Sequence, residues 1–479
     1  MSDLALSLHL ALPEELLSLG AMLLLMIGVF RGDRSYTALT WVSAAFYVVA
    51  GAAVLLPGAQ GRAFSGLMVA DDFSAFLKVL IAAAAAVAAL LALPYLKRSR
   101  TARFEYPVIL MLCVTGLFIM VSASNLITLY LGLELAALAQ YVMAAFHRDE
   151  ARSSEAGLKY FVLGSLSSGI LLYGISLVYG FAGSTSFATL HTVLAHGLAI
   201  GPLIGLVLVM VGLAFKIAAV PFHMWTPDVY EGAPTPVAAF FASAPKVAAM
   251  GLLVRASTVA FGGATDSWRQ IIAFMAVASM FLGAVGAIGQ SNIKRLLAYS
   301  SINNVGFALI GLACGTQAGI ASVLFYMAVY IAMTLGAFLC VLDLRDLDGQ
   351  PLEKISDLAG LRKARPGLAA ALAIFMFSLA GIPPLLGFWP KFGVFDAAVG
   401  AGLFPLAVLG VIASVIGAYY YLRIVKTIYF DEPAAAVAPR LSVVNGALMA
   451  GAAIFCSPIG MLAITPIVGA ARAAAASLF

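Results

Sequence analysis

Ala214 to Lys246 reads AFKIAAVPFHMWTPDVYEGAPTPVAAFFASAPK. Lys216, Lys246, His223, Asp228, Glu231 and five prolines stand in this stretch, inside a chain that is otherwise apolar nearly from end to end. Prolines 221, 227, 234 and 236 forbid an unbroken helix from Gly201 to Lys246, because each interior proline deletes a backbone hydrogen bond and its ring collides with the preceding turn. Non-helical backbone at membrane depth survives only when it is buried in protein or lines a wet cavity. The stretch therefore predicts a discontinuous membrane helix with ionisable groups gathered at its break.

Outward from that stretch, composition fixes the class. Of 479 residues, 63% are hydrophobic and 10% charged, with a mean hydropathy of +1.04, so there is too little polar surface to cover a soluble globule. A spanning helix needs about 20 apolar residues. By that measure the chain is an all-α polytopic membrane protein with about 14 transmembrane helices, at 11–30, 36–57, 73–96, 106–122, 124–146, 158–182, 201–222, 235–259, 268–289, 296–314, 319–342, 367–399, 404–427 and 442–464. The start carries Asp3, Glu14 and Glu15 in place of a basic region, so it does not read as a cleaved signal peptide.

No nucleic-acid footprint, phosphate-binding loop or dinucleotide fingerprint occurs, and Cys113, Cys314, Cys340 and Cys456 are too scattered to hold zinc or an iron-sulfur cluster. Neither a metal nor a cofactor is expected in this chain. With the N-terminus outside, eighteen basic residues from Arg31 to Arg440 fall in one set of loops, and only Arg62, Arg255, Arg269 and Arg472 in the other. Cytoplasmic loops retain positive charge, so both termini are expected on the periplasmic side.

Lys78, Lys159, Lys216, Lys246 and Lys391 belong to neither set, and Glu134 joins them about 15 Å deep by helix rise. Each mid-membrane charge costs roughly 2.5–3.5 kcal/mol on insertion scales. Glu134, Lys216 and Lys246 must then pair, face a hydrated interior or change protonation state. Lys78 and Lys159 lie near helix ends, where a long ammonium stem can snorkel to the interface. His223, beside Pro221 and Trp225, is open to two readings, a packing residue or a proton relay.

A second break is expected at FSLAGIPPLLGFWPK, where Pro383, Pro384 and Pro390 interrupt a run that would otherwise span about 50 Å. VPFHMW and IPPLLGFW resemble each other faintly, each with a lysine nearby, as in transporters built from inverted repeats.

These residues, with LYLGLELAALAQYVM, EAGLKYFVLGSLSSGILLYGISLVYG, GQSNIKRLLAYSSINNVGF and LAGIPPLLGFWPKFGVF, make the chain similar to the antiporter-like membrane subunits of respiratory complex I, the N-subunit branch above all. The resemblance implies two inverted five-helix repeats with discontinuous helices 7 and 12. The expected divisions are 1–105 for helices 1–3, 106–260 for the first repeat, 261–430 for the second, and 431–479 for helix 14. It implies that Glu134 and Lys216 form a central charge pair, that Lys159 exchanges partners with it, that Lys246 continues the axis, and that Lys391 is the terminal proton site. His223 and Tyr299 fall at possible relay positions, and Lys78 matches no family position. NADH, FMN, iron-sulfur clusters and quinone would be handled by partner subunits, with the K and M subunits as neighbours in a bacterial inner membrane.

Physical magnitudes suit such a role. At an effective dielectric near 20, moving opposite charges from about 4 Å to about 8 Å loses roughly 2 kcal/mol, and carrying one charge through 100 mV needs about 2.3 kcal/mol. Two rival readings stay open: a subunit of a multi-subunit sodium/proton antiporter, and a scaffold whose buried ion pairs only fix helix packing.

Overall fold

The computed structural model describes residues 3–56, 58, 60–195, 197, 199–433, 437–438 and 442–479. Arg440, counted above among the basic loops, and Pro57, the expected last residue of the second span, lie outside them. Among the described residues, eleven helical segments are long and apolar enough to cross a membrane, the first being the helix pair within Leu12–Ala53, and Glu105–Val121, Pro366–Ala380 and Val443–Cys456 are shorter apolar helices. The only strands among the described residues, Gly61–Ala63 and Met68–Ala70, form one small antiparallel hairpin.

Several helix starts are fixed by side-chain caps. Asp71 accepts from the Ser74 N–H to open Asp72–Arg98, Asn125 from Ile127 to open Leu126–Ala144, and Asn292 from Lys294 and Arg295 to open Ile293–Ala313. The first two caps lie at one end of the bundle and Asn292 at the other. At the first end the hairpin meets the N-terminal segment, the Phe64 N–H donating to Ser7 Oγ (3.0 Å), and the start of Asp72–Arg98 meets the C-terminal segment, the Phe73 N–H donating to Ser477 Oγ (3.2 Å). The opposite end gathers Arg152, Lys294, Arg295 and Glu353.

Capping geometry repeats with inversion. Asn125 bridges to Ser186 at the terminal end, while Asn292 bridges to Lys354 at the basic end. Gly116 lets its helix approach the Ala136 backbone so closely that a Cβ would sit 2.6 Å from that nitrogen, and Gly283 does the same against Asn303.

Both expected breaks are present, and sequence boundaries miss their detail. The first divides Ile200–Ile217 from Trp225–Gly232, with Ala218 left-handed (φ +60°) as the cap. The second divides Pro366–Ala380 from Phe388–Gly400, capped by left-handed Gly381 (φ +83°). The 235–259 span is also divided, into Thr235–Phe241 and Ala244–Arg255, since Pro245 follows a non-helical Ser243. The last span differs most: the helix ends at Cys456, and after the Pro458–Ala463 turn the chain runs on as Ile464–Ala476. Pro458 stops the first of these helices, and hydropathy averaging across 442–464 hides that stop.

Candidate functional site

Lys216 occupies the last turn of Ile200–Ile217. Its Nζ lies 3.5 Å from the Tyr141 hydroxyl and 5.6 Å from that ring's centroid. Glu134, on Leu126–Ala144, is within electrostatic reach of Lys216, yet no ion pair within 4.0 Å joins them. Glu134 Oε1 is buried without a hydrogen-bond partner among the described residues. The two expected members of a central pair are thus near each other but apart. An aromatic cluster joins the residues next in sequence to Lys216 and Lys159: Trp225 stacks on Tyr160 (4.4 Å, 9°) and its Nε1–H donates to the Phe215 carbonyl (3.0 Å), while the Tyr160 hydroxyl donates to Gln140 (2.7 Å). Trp225 thereby ties the second half of the broken helix to the residues next to Lys216 and Lys159.

Lys159 sits well inside a helix that begins at Ala151, earlier than the expected 158. Its ammonium pairs with Glu155 (2.7 Å) and Asp228 (2.9 Å), and its side chain stays 43% exposed. From there a lattice of alternating charges runs across the basic end: Asp228 to Arg295 (2.6 Å), Arg295 to Glu231 (3.1 Å), Glu231 to Arg152 (3.3 Å), Arg152 to Glu353 (3.5 Å) and Glu353 to Lys294 (3.0 Å). Sequence reading passed over Asp228, Glu231 and Glu353 as partners. The signal for the first two was present, since both carboxylates stand in the opening stretch; Glu353 lies in a loop whose folding back only the structure reveals.

Lys246 is 1% exposed, 5.8 Å from the Tyr230 ring centroid, and its Nζ has no hydrogen-bond partner among the described residues. His223 lies half-buried in the first break with Nδ1 likewise unpartnered among those residues. Tyr299 lays its ring on Gly286, where a Cβ would come within 2.6 Å of it. The buried hydroxyls beside it make the polar chain instead. Ser301 bonds Tyr330 (2.6 Å), Ser300 bonds Tyr421 (2.5 Å), Asn304 donates to Tyr421 (3.2 Å), and Tyr326 donates to Asn304 (2.7 Å). No single-sequence pattern marks these residues, because serine and tyrosine in apolar helices are common filler.

Lys391, 5% exposed, is held at the second break. In a continuous helix the carbonyls of Leu379 and Ala380 would accept from residues 383 and 384, but both are prolines and have no N–H to give. Lys391 Nζ supplies what is missing, donating to Leu379 O (2.9 Å) and Ala380 O (3.0 Å). Gly381 makes room: a Cβ there would approach Lys391 Cδ to 2.9 Å.

Snorkelling, one of the readings open for Lys78, is not what the fold provides. Lys78 is 2% exposed and pairs with Glu14 Oε1 at 2.6 Å. Sequence could not join them, because the two residues stand far apart in the chain. On the same Asp72–Arg98 helix, the capping Asp71 receives both Arg255 Nη groups (2.7 and 2.8 Å), so Arg255 is buried rather than a loop charge. All four cysteines are buried and free, and among the described residues no group of three His, Cys, Asp or Glu side chains is placed to hold a metal.

Residues 123–417 match the family described as "NADH:quinone oxidoreductase/Mrp antiporter, TM". A relative from Rhizorhabdus wittichii named "NADH-quinone oxidoreductase subunit N" is 59% identical over 476 residues, covering 99% of each chain. A chain of respiratory complex I from Thermus thermophilus superposes with a TM-score of 0.81 at 29% identity, over 94% of this chain and 97% of that one. A chain of the Mrp complex from Dietzia shares the fold, with a TM-score of 0.81 at 22% identity over 99% and 97%.

Proposed function

Because the chain belongs to the NADH:quinone oxidoreductase/Mrp antiporter transmembrane family, we propose that it is a proton-translocating membrane-arm subunit of NADH:quinone oxidoreductase, in the manner of its subunit N relatives. Redox chemistry belongs to other subunits; this chain converts their conformational or electrostatic signal into proton movement. Glu134, Lys159, Lys216, Lys246 and Lys391 carry the path, and Tyr326, Asn304, Tyr421 and Ser300 form a buried hydroxyl chain within the second repeat. The repeats are 106–260 and 261–430, flanked by 1–105 and 431–479. The K and M subunits are its neighbours, the bacterial inner membrane its location, and the periplasm the side of both termini.

What supports this reading most is that Lys246 and Lys391 are buried and Lys216 partly so, each beside interrupted helix. Ammonium groups at that depth are costly, and a chain that only needed packing would replace them with apolar side chains at no loss. Uptake from the basic end has a route in a cavity of about 1100 Å³, lined from Arg100, Arg103 and Arg148 to Tyr141, the residue that touches Lys216. In the assembled complex, Lys216→Ala or Glu134→Gln should leave NADH oxidation coupled to far less proton movement. Parent-level pumping in both variants, measured in inside-out vesicles, would reject the assignment. Activity that follows sodium instead would favour the antiporter reading.

A further inference from the structure

The donor accounting at Lys391 leaves one position open for chemistry. An ammonium has three N–H groups. Two are committed to the Leu379 and Ala380 carbonyls, which the adjacent prolines have orphaned. An amide oxygen accepts such a bond but carries no proton of its own to pass on, so it cannot relay one as a hydroxyl can. The third contact is Ser414 Oγ, at 3.4 Å, on the Phe404–Phe430 helix. The Phe307 ring, 4.6 Å away, can steady a cation but accepts no proton.

We propose that Ser414 is the hydroxyl through which Lys391 exchanges its proton. In the transfer an N–H bond of Lys391 breaks, an O–H bond forms on Ser414 Oγ, and the hydroxyl's own proton passes in concert to a water molecule, so neither an alkoxide nor an oxonium persists on serine. The reverse sequence reloads the amine. The neutral amine keeps two N–H groups, enough for both carbonyls, so either charge state leaves the broken helix end satisfied. Ser414 also stands on the helix that carries Tyr421, two turns away, and Tyr421 belongs to the buried hydroxyl chain with Ser300 and Asn304. The exchange point and that chain therefore share one rigid element.

This rests on the reading of Lys391 as a proton carrier, and the test separates the two. Ser414→Ala, Ser414→Thr and Lys391→Ala are compared in the assembled complex, following proton translocation per NADH oxidised in inside-out vesicles across pH. Ser414→Ala should lower translocation at least about tenfold, as loss of a positioned proton-transfer group does, while Ser414→Thr, which keeps a hydroxyl, stays within about threefold of the parent. The Ala variant should also shift the pH profile, which a packing defect would not do. Parent-level translocation in Ser414→Ala, or equal impairment in Ala and Thr, overturns the role of Ser414. Parent-level translocation in Lys391→Ala overturns the underlying reading.

Discussion

Lys216 meets the Tyr141 side chain twice, through a 3.5 Å contact with its hydroxyl and through its ring face at 5.6 Å, while the carboxylate of Glu134 is farther than an ion pair. Tyrosine is thus the immediate neighbour of the ammonium, and the carboxylate acts across a gap. Tyr141→Phe keeps the ring and removes one hydrogen bond, worth about 0.5–1.5 kcal/mol. Its expected effect is a fall in NADH-driven proton translocation of about threefold to tenfold. Tyr141→Leu removes the ring attraction as well and should fall further. Equal, undiminished pumping in both variants would exclude Tyr141 from the Lys216 site.

Glu14 and Lys78 form an ion pair with almost no access to water. Removing one partner strands the other, so Lys78→Met is expected to destabilise the subunit by about 3–5 kcal/mol. Replacing both, with Glu14→Leu and Lys78→Met, should recover most of that loss, because apolar pairs of similar volume commonly match a buried ion pair. Thermal inactivation of the detergent-solubilised complex reads the difference. A double variant as labile as the single one would show that the pair does more than neutralise itself.

At the basic end, burial tends to raise the Glu353 carboxyl, but the charge and hydrogen bond of Lys294 and the charge of Arg152 outweigh it and hold the pKa below the ordinary 4.5. A group depressed in the folded state stabilises it above the unfolded value and loses that contribution as pH falls through the lower folded value. The contribution of Glu353 should therefore be constant near neutrality and be lost only below 4.5. Glu353→Gln should flatten that acid limb in a stability profile of the complex and leave its neutral plateau lower. An unchanged acid limb would show that the pair with Lys294 contributes little.

Much of this architecture is written in local chemistry. Proline spacing announced both breaks, and the buried lysines were visible because hydrocarbon tolerates so few charges. What escaped was partnership across the bundle. Lys159 finds Asp228, Lys78 finds Glu14, and Arg255 finds Asp71, each through a contact between residues far apart in sequence. Periodicity carries no information about such meetings. The hydroxyl chain around Ser300 and Tyr421 escaped for another reason: its members are individually unremarkable in apolar helices and acquire meaning only from their mutual distances. The run past Cys456 was misread because hydropathy averages over a proline that geometry does not.

The charge lattice that begins at Glu155 and ends at Lys294 alternates sign at every step, four acids with four bases. Much of the surrounding face is rich in lysine and arginine, and its field repels cations, hydronium included. Where the signs cancel, that repulsion is lifted, and members of the lattice also line an adjoining cavity of about 790 Å³. On a face otherwise rich in lysine and arginine, the lattice is thus a stretch where neighbouring charges cancel beside a cavity, and its own field neither draws a cation nor turns one away.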